Sequence, residues 1–436
     1  MVLWDMRWIG SGRNKHGQGK MRITRLVAGW KWVTWATAFA ISHAAWAENW
    51  PQFRGSSGQG ISTEKDLPTS WDIKTGQNIL WKAPLPPSDN PFSSPIAWGD
   101  RVFITLVMNK TREHHLLCFD ARDGRKLWDT SIAPGPWVMT DLRGGYGAPT
   151  PATDGQAVFV LFGSAVLAAV DLDGQIIWRT DLKNYAFDVA VGTSPILYKD
   201  TVILLSDLVD KKSSLIGFDK KTGKVRWEEP RPTVGFSHST PVPVQIQGKP
   251  QLLIAASNAL QGADPENGRI LWHCSAAGDA ASPVYSPAAN RVYIDSGRGS
   301  AGIAVDPTGA GDVTRTHLKW KLAKIIPESL SSAVIVGEHL YRAHPPGVLK
   351  CIQMATGQEV YSQRLEGLSC WSSPVLTADG LIYLASPDLS YVIKAGPKPE
   401  VVSVNRLNDP NYASAAVCNG RIFLKGRNNL YCVAKR

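Results

Sequence analysis

Along most of the chain apolar and polar positions alternate in short runs, each run closed by Gly, Asp or Asn. Eight segments share one pattern: a small-small-Pro start, a gap containing Gly or Asp, then alternating Val, Ile, Phe and Tyr. They begin at Ser93, Pro149, Thr193, Ser239, Ala281, Ser331, Ser372 and Ala413, with Ala in place of Pro in the sixth and eighth. Period-two alternation with such punctuation predicts antiparallel strands, two per segment.

A second element follows the starts. FDARDGRKLW, VDLDGQIIW, FDKKTGKVRW and ADPENGRILW each carry an Asp (Asp120, Asp171, Asp219, Asp264), a Gly (Gly124, Gly174, Gly223, Gly268) and, four residues after the Gly, a Trp (Trp128, Trp178, Trp227, Trp272). A fifth copy keeps Asp306 and Trp320 around an inserted turn, and a sixth keeps Gly357 but has Gln353 and Tyr361 in place of Asp and Trp. The steps from Trp128 to Tyr361 are 50, 49, 45, 48 and 41 residues. Repetition at this period means stacked supersecondary units. Asp at a strand end accepts from the backbone two residues on, and Gly supplies the positive φ of a tight turn. The Trp offers a broad apolar face to the neighbouring unit.

Each unit is therefore a four-stranded antiparallel sheet that cannot bury both faces alone. Radial stacking solves this and leaves only short edges. The last unit stops at its third strand, RNNLYCVAKR. NILWKAPLP, with Trp81 placed 47 residues before Trp128, supplies the missing fourth. The predicted fold is all-β, an eight-bladed β-propeller closed by an amino-terminal strand, with residues 48–436 as one domain.

Residues 21–47 follow the grammar of a secretory signal: Arg22, Arg25 and Lys31, an apolar stretch from Trp32 to Ile41, then Ala45 and Ala47 before the cleavage point. The stretch is short for a transmembrane helix, and an uncleaved, tryptophan-rich anchor is the alternative. Residues 1–20 fit neither and are expected to be an extension ahead of the true start at Met21. The mature chain is expected to be exported to the periplasm or cell envelope, with no stable membrane span.

Charge changes one part of the picture. The formal net charge is +10, but residues 1–47 hold seven Lys/Arg against Asp5 alone. The remainder carries 40 basic and 36 acidic residues, a net +4 without a basic run, so nucleic-acid binding has no electrostatic footprint. Six cysteines do not form a framework. Cys118, Cys351 and Cys432 occupy one place in three repeats and read as small buried hydrophobes, and no bridge is expected from Cys274, Cys370 and Cys418.

The Asp-x-x-x-Gly-x-x-x-Trp grammar resembles the propeller repeat of quinoprotein (PQQ) alcohol dehydrogenases and of their non-catalytic relatives, among them an eight-bladed outer-membrane assembly lipoprotein. WPQFRGSSGQGIS at Trp50 and GAGDVTRTHLKW at Gly309 are similar to exported PQQ-like propellers abundant in planctomycete bacteria. The resemblance covers residues 49–436. It implies the fold, and it implies function poorly because the fold hosts unrelated activities.

The dehydrogenases of that group use an Asp base, Ca²⁺ ligands and an adjacent Cys-Cys pair beside the quinone. This chain has no adjacent cysteines. Its aspartates are largely taken by the repeat, and DPTGAGD (Asp306, Asp312) lacks the length and final Glu of a calcium loop. HExxH, CxxC, phosphate-loop and GxSxG motifs are absent. His114 and His115 are neighbours on a strand and point to opposite faces. No catalytic residue, metal ligand or cofactor is expected. PQQ with Ca²⁺ enters only under the alternative of a dehydrogenase-like oxidoreductase.

Three positions before each Pro or its replacement the chain reads Phe92, Ala148, Gly192, His238, Ala280, Leu330, Trp371 and Tyr412. These vary while their neighbours repeat, which predicts a channel mouth. Phe92, Arg143, Tyr146, His238, Asp279, Trp371 and Tyr412 are the candidate binding residues, an aromatic set with a few polar groups. The expected role is a monomeric, non-catalytic scaffold for an envelope protein or glycan. Side chains that merely plug the channel are the bland alternative.

Overall fold

The computed structural model describes residues 48–89, 92–139, 145–182, 191–207, 212–276, 278, 280–295, 301–323 and 329–436. The signal and the extension before it lie outside these residues. The described residues are all-β, in eight antiparallel blades. Blade 1 contains Ile96–Trp98, Arg101–Met108, Glu113–Asp120 and Lys126–Ile132 from axis to rim. Blades 2 to 7 repeat that order, with innermost strands starting at Ala152, Ile196, Val242, Val284, Val334 and Val375. None of the described residues forms a helix long and apolar enough to cross a membrane.

Blade 8 is built from both ends of the chain. Ala416–Cys418, Arg421–Lys425 and Asn429–Ala434 supply three strands, and Ile79–Pro84 pairs antiparallel with the third, Trp81 opposite Cys432. The ring thus closes as the repeat arithmetic predicts.

Tryptophan and glycine interlock successive blades. Trp81 Nε1 donates to Ala121 O in blade 1 at 3.0 Å, Trp128 to Leu172 O at 2.8 Å, Trp178 to Lys220 O at 2.8 Å and Trp320 to Met354 O at 2.9 Å. Each indole lies over the repeat glycine of the next blade. A Cβ on Gly124 would come 2.6 Å from the Trp81 ring, and one on Gly174, Gly223, Gly268 or Gly357 would come 3.0, 2.5, 2.6 or 2.7 Å from Trp128, Trp178, Trp227 or Trp320. The glycine therefore serves twice, once for its turn and once for its lack of a side chain. The aspartates act as expected: Asp120, Asp171, Asp264 and Asp306 each accept from the amide two residues on, and Asp219 accepts from those two and three on.

Trp272 departs from the pattern. Its Nε1 donates to Gln251 Oε1 of its own blade at 2.8 Å. The turn that follows in blade 5 carries the insertion, and Gly311–Asp312 comes back to pair in parallel with Trp272 and His273. The elongated DPTGAGD hairpin thus covers the outer edge of blade 4, a ready site for unwanted strand pairing. Tyr361 stands in the Trp place of blade 6 and is half-buried. All six cysteines are free and buried.

Candidate functional site

The innermost strands enter the ring at what we term the first mouth and leave at the second. The second residue of each small-small-Pro start does more than fit a tight space. Its N–H donates to the hydroxyl of the equivalent residue in the next blade, from Ser94 through Thr150, Ser194, Thr240, Ser282, Ser332 and Ser373 to Ser414, which returns to Ser94. All eight bonds span 2.9–3.1 Å. The belt links every blade to its neighbours and consumes donors that burial would otherwise orphan.

The variable positions lie two residues before this belt. All eight are half-buried or exposed, whereas the next residue is buried in every blade. Phe92, Trp371 and Tyr412 meet where blades 1, 7 and 8 begin: ring centroids are 5.6 Å apart for Phe92 and Trp371, 5.5 Å for Phe92 and Tyr412, and 6.1 Å for Trp371 and Tyr412. Trp371 stays 41% exposed, so part of its ring faces solvent. His238 belongs to another arc of the rim. It is half-buried, stands edge-on to Phe236 at 4.4 Å, and occupies the space that a Cβ on Gly192 would need.

Tyr146 is placed differently from the expectation. It is fully buried, stacked 3.9 Å from Trp137, and its hydroxyl accepts from Met139 N at 2.7 Å. Trp137 continues through His114 to Phe162 at 5.3 and 4.1 Å. Tyr146 therefore supports an aromatic column, a role hidden in sequence because Trp137 and His114 lie on separate segments. Arg143 and Asp279 lie outside the described residues.

The second mouth is filled by the chain itself. The innermost strands present unpaired backbone toward the axis, and the segment from Trp50 to Ser62 satisfies much of it. Trp50 exchanges both backbone bonds with Ala97 of blade 1, and Pro51 O accepts from Thr153 of blade 2. Gln59 Oε1 accepts from Tyr285 N of blade 5, Arg54 donates to Ala333 O beside blade 6, and Gly60 and Ser62 bond to Leu376 of blade 7. Gly58 packs on Val242 and Pro243 of blade 4. WPQFRGSSGQGIS thus crosses six blades. Its sequence has no strand periodicity, so pattern reading could not assign it this place.

Arg54 is 2% exposed, and burial pulls its guanidinium down to about 9. Other ionisable groups cluster at strand ends beside the first mouth. Arg231 and Asp207 form one buried pair, and Arg342 and Asp295 another. Lys425 Nζ donates to Ser93 O, Ser93 Oγ and Thr105 O at 3.1, 2.8 and 3.2 Å, and burial lowers its pKa to about 7. Burial pushes the Cys118, Cys418 and Cys432 thiols up to about 12, which suits packing and not nucleophilic chemistry. His114 is held neutral by burial, its pKa lowered to about 3, while His115 on the opposite face meets Asp129 at 2.7 Å.

Among the described residues no three His, Cys, Asp or Glu side chains lie close enough to hold a metal ion. Asp312 is engaged by Thr314 N at the outer edge of the propeller.

The repeat, its interlocking tryptophans and the eight-membered ring define a β-propeller of the quinoprotein-repeat class. A family model described as outer membrane protein assembly factor BamB matches residues 112–363, more than half of the chain. The chain belongs to that family. Among solved structures it is similar to BamB from Moraxella catarrhalis, with 13% identity and a TM-score of 0.56 over 81% of this chain and 98% of that one. It is similar also to the computationally designed Ika8 protein, with 12% identity and a TM-score of 0.56 over 82% and 99%. A europium-containing methanol dehydrogenase aligns over 80% and 90% at 12% identity with a TM-score of 0.47. Likeness at these identities speaks to the fold alone. No curated protein matches the chain.

Proposed function

We propose that this protein is an exported, non-catalytic propeller that holds a partner in the cell envelope through its first mouth. The observation that carries this reading is the asymmetry of the two mouths. One is filled by residues 50–62, and the other offers the Phe92, Trp371 and Tyr412 cluster on a rigid belt. Side chains at the ends of a fixed scaffold are where binding is usually located. Membership of a family named for outer membrane protein assembly agrees with an envelope setting. His238 extends the candidate surface along the rim.

The test is affinity capture from detergent-solubilised envelopes with the intact protein and with Trp371→Ala. A partner retained by the former and lost with the latter supports the reading. Equal capture by both, or substrate turnover without a partner, overturns it. The quinoprotein alternative has its own check: PQQ and Ca²⁺ added to the protein should give neither bound-cofactor absorbance nor dye-linked alcohol oxidation.

A further inference from the structure

The outermost strand of blade 7, Glu400–Asn405, departs from the other outer strands in one respect. Its bulge places Ser403 opposite Val392, as the same bulge in blade 1 places Trp128 opposite Cys118. Ser403 therefore stands in the Trp place, and Val404 follows it. At that following position the other seven blades carry Lys82, Asp129, Arg179, Glu228, His273, Lys321 and Ser362. Val401, Val402 and Val404 are 41, 40 and 47% exposed. Blade 2 also exposes Ile176 and Ile177 on its outer strand, but the paired Arg179 and Asp181 follow them. Charge of that kind protects an open sheet edge. Blade 7 has none from Val401 to Asn405.

This edge is anchored as well as open. Ser403 Oγ and Asn405 Nδ2 donate to Thr69 O, and Trp71 N donates to Asn405 Oδ1 at 3.0 Å. Asp72 then forms a parallel bridge with Arg406, which closes the edge just past the strand. The stretch from Glu400 to Val404 pairs in its sheet with Ser390–Lys394 on one side only. Such a strand keeps a row of backbone donors and acceptors for an incoming strand. Charge at its two ends has one sign. Lys398 lies in the turn before the strand and Arg406 follows it, both exposed, while Glu400 has Lys394 opposite it in the register.

We infer that this edge docks an extended segment of a partner protein, apolar along its length and acidic at both ends, which adds to the four strands of blade 7 as another. Backbone pairing supplies the affinity, and the three valines select β-branched or other apolar side chains beside them. Lys398 and Arg406 select Asp or Glu at the ends of the incoming strand. A second copy of this chain is a poorer match. Pairing the whole open edge with itself, Val402 opposite Val402, sets Lys398 against Arg406 at both ends. Centring the pair on Ser403 would bring Glu400 opposite Arg406, but Asp72 already bridges that residue. The edge lies on the outer rim, separate from the Phe92, Trp371 and Tyr412 cluster at the first mouth.

Fluorescence anisotropy on the full mature protein tests this with a labelled, end-capped peptide, Asp-Val-Thr-Val-Thr-Val-Asp, and its Lys-ended counterpart. The Asp-ended peptide should bind, and the Lys-ended one should bind about tenfold more weakly. N-methylation of alternate peptide nitrogens should abolish binding, because it removes the donors that a strand must offer. Val404→Glu gives blade 7 the residue that blade 3 carries as Glu228. It should weaken binding by about tenfold or more and leave the melting temperature unchanged, since Val404 is already exposed. Trp371→Ala should not alter binding. The docking site is wrong if the Asp-ended peptide fails to bind at ~1 mM, if both peptides bind alike, or if binding survives Val404→Glu. Loss of binding with Trp371→Ala would move the peptide to the first mouth and overturn the inference too. Self-association of the peptide-free protein that Val404→Glu abolishes would make a second copy the occupant, with the same consequence.

Discussion

Gly124 meets two demands in one residue. Its φ of +77° is a region that L side chains rarely adopt, and the Trp81 ring occupies the space a Cβ would take. Gly124→Ala should therefore cost more than Gly99→Ala, where φ is +56° and nothing lies within 4 Å. The control should lose on the order of 1 kcal/mol for backbone strain alone. The interlocked site should lose about 2–4 kcal/mol, because the indole must also shift. Urea unfolding with unchanged m reads the difference, and equal losses would mean the indole contact is not tight. Lys425 carries a pH prediction. Its folded pKa of about 7 lies below the 10.5 of an exposed lysine. The unfolded chain then binds more protons between these values, so stability rises as pH increases from about 7 to 10.5. The three oxygens around Nζ moderate the effect without reversing it. Lys425→Met should flatten that slope in melts taken across the range.

At the scale of the element, the belt and the strands were unequally legible. Alternation and turn residues located the strands, and the Asp, Gly and Trp spacing located the blade junctions, because each is a local constraint repeated in register. The belt was half legible. Ser94, Ser332 and their equivalents read as small residues, but only the structure shows that each hydroxyl takes an amide from the preceding blade. Thr150 and Thr240 were the available clue, since threonine is not chosen for smallness. Tyr146 departs from the expectation for a related reason: its partners Trp137 and Met139 belong to a segment outside the repeat pattern, where periodicity carries no information. The belt makes a discriminating prediction. Ser332→Ala removes the acceptor for Ser282 N and should cost about 1–2 kcal/mol, while Ser332→Thr should cost much less. Equal losses in thermal melts would assign the position to volume and not to hydrogen bonding.

For the whole molecule, the amino-terminal segment does two separable things. Residues 50–62 cover the inner edges of several blades, and Ile79–Pro84 completes blade 8. Two truncations of the mature protein distinguish them. Deleting residues 48–62 uncovers backbone at the second mouth and removes the buried Trp50, so the melting temperature should fall while blade 8 keeps four strands. Deleting residues 48–85 also removes Trp81, whose ring lies over Gly124 and 6.0 Å from Phe423. Loss of a buried aromatic costs about 3–5 kcal/mol. It also leaves Asn429–Ala434 as an open edge that invites association between molecules. The longer deletion should therefore melt lower than the shorter one and aggregate with increasing concentration in light scattering. If the two truncations melt alike and stay monomeric, pairing across more than 330 residues contributes nothing to closure. The belt bond from Ser414 to Ser94 and the bonds from Lys425 to Ser93 and Thr105 would then hold the ring.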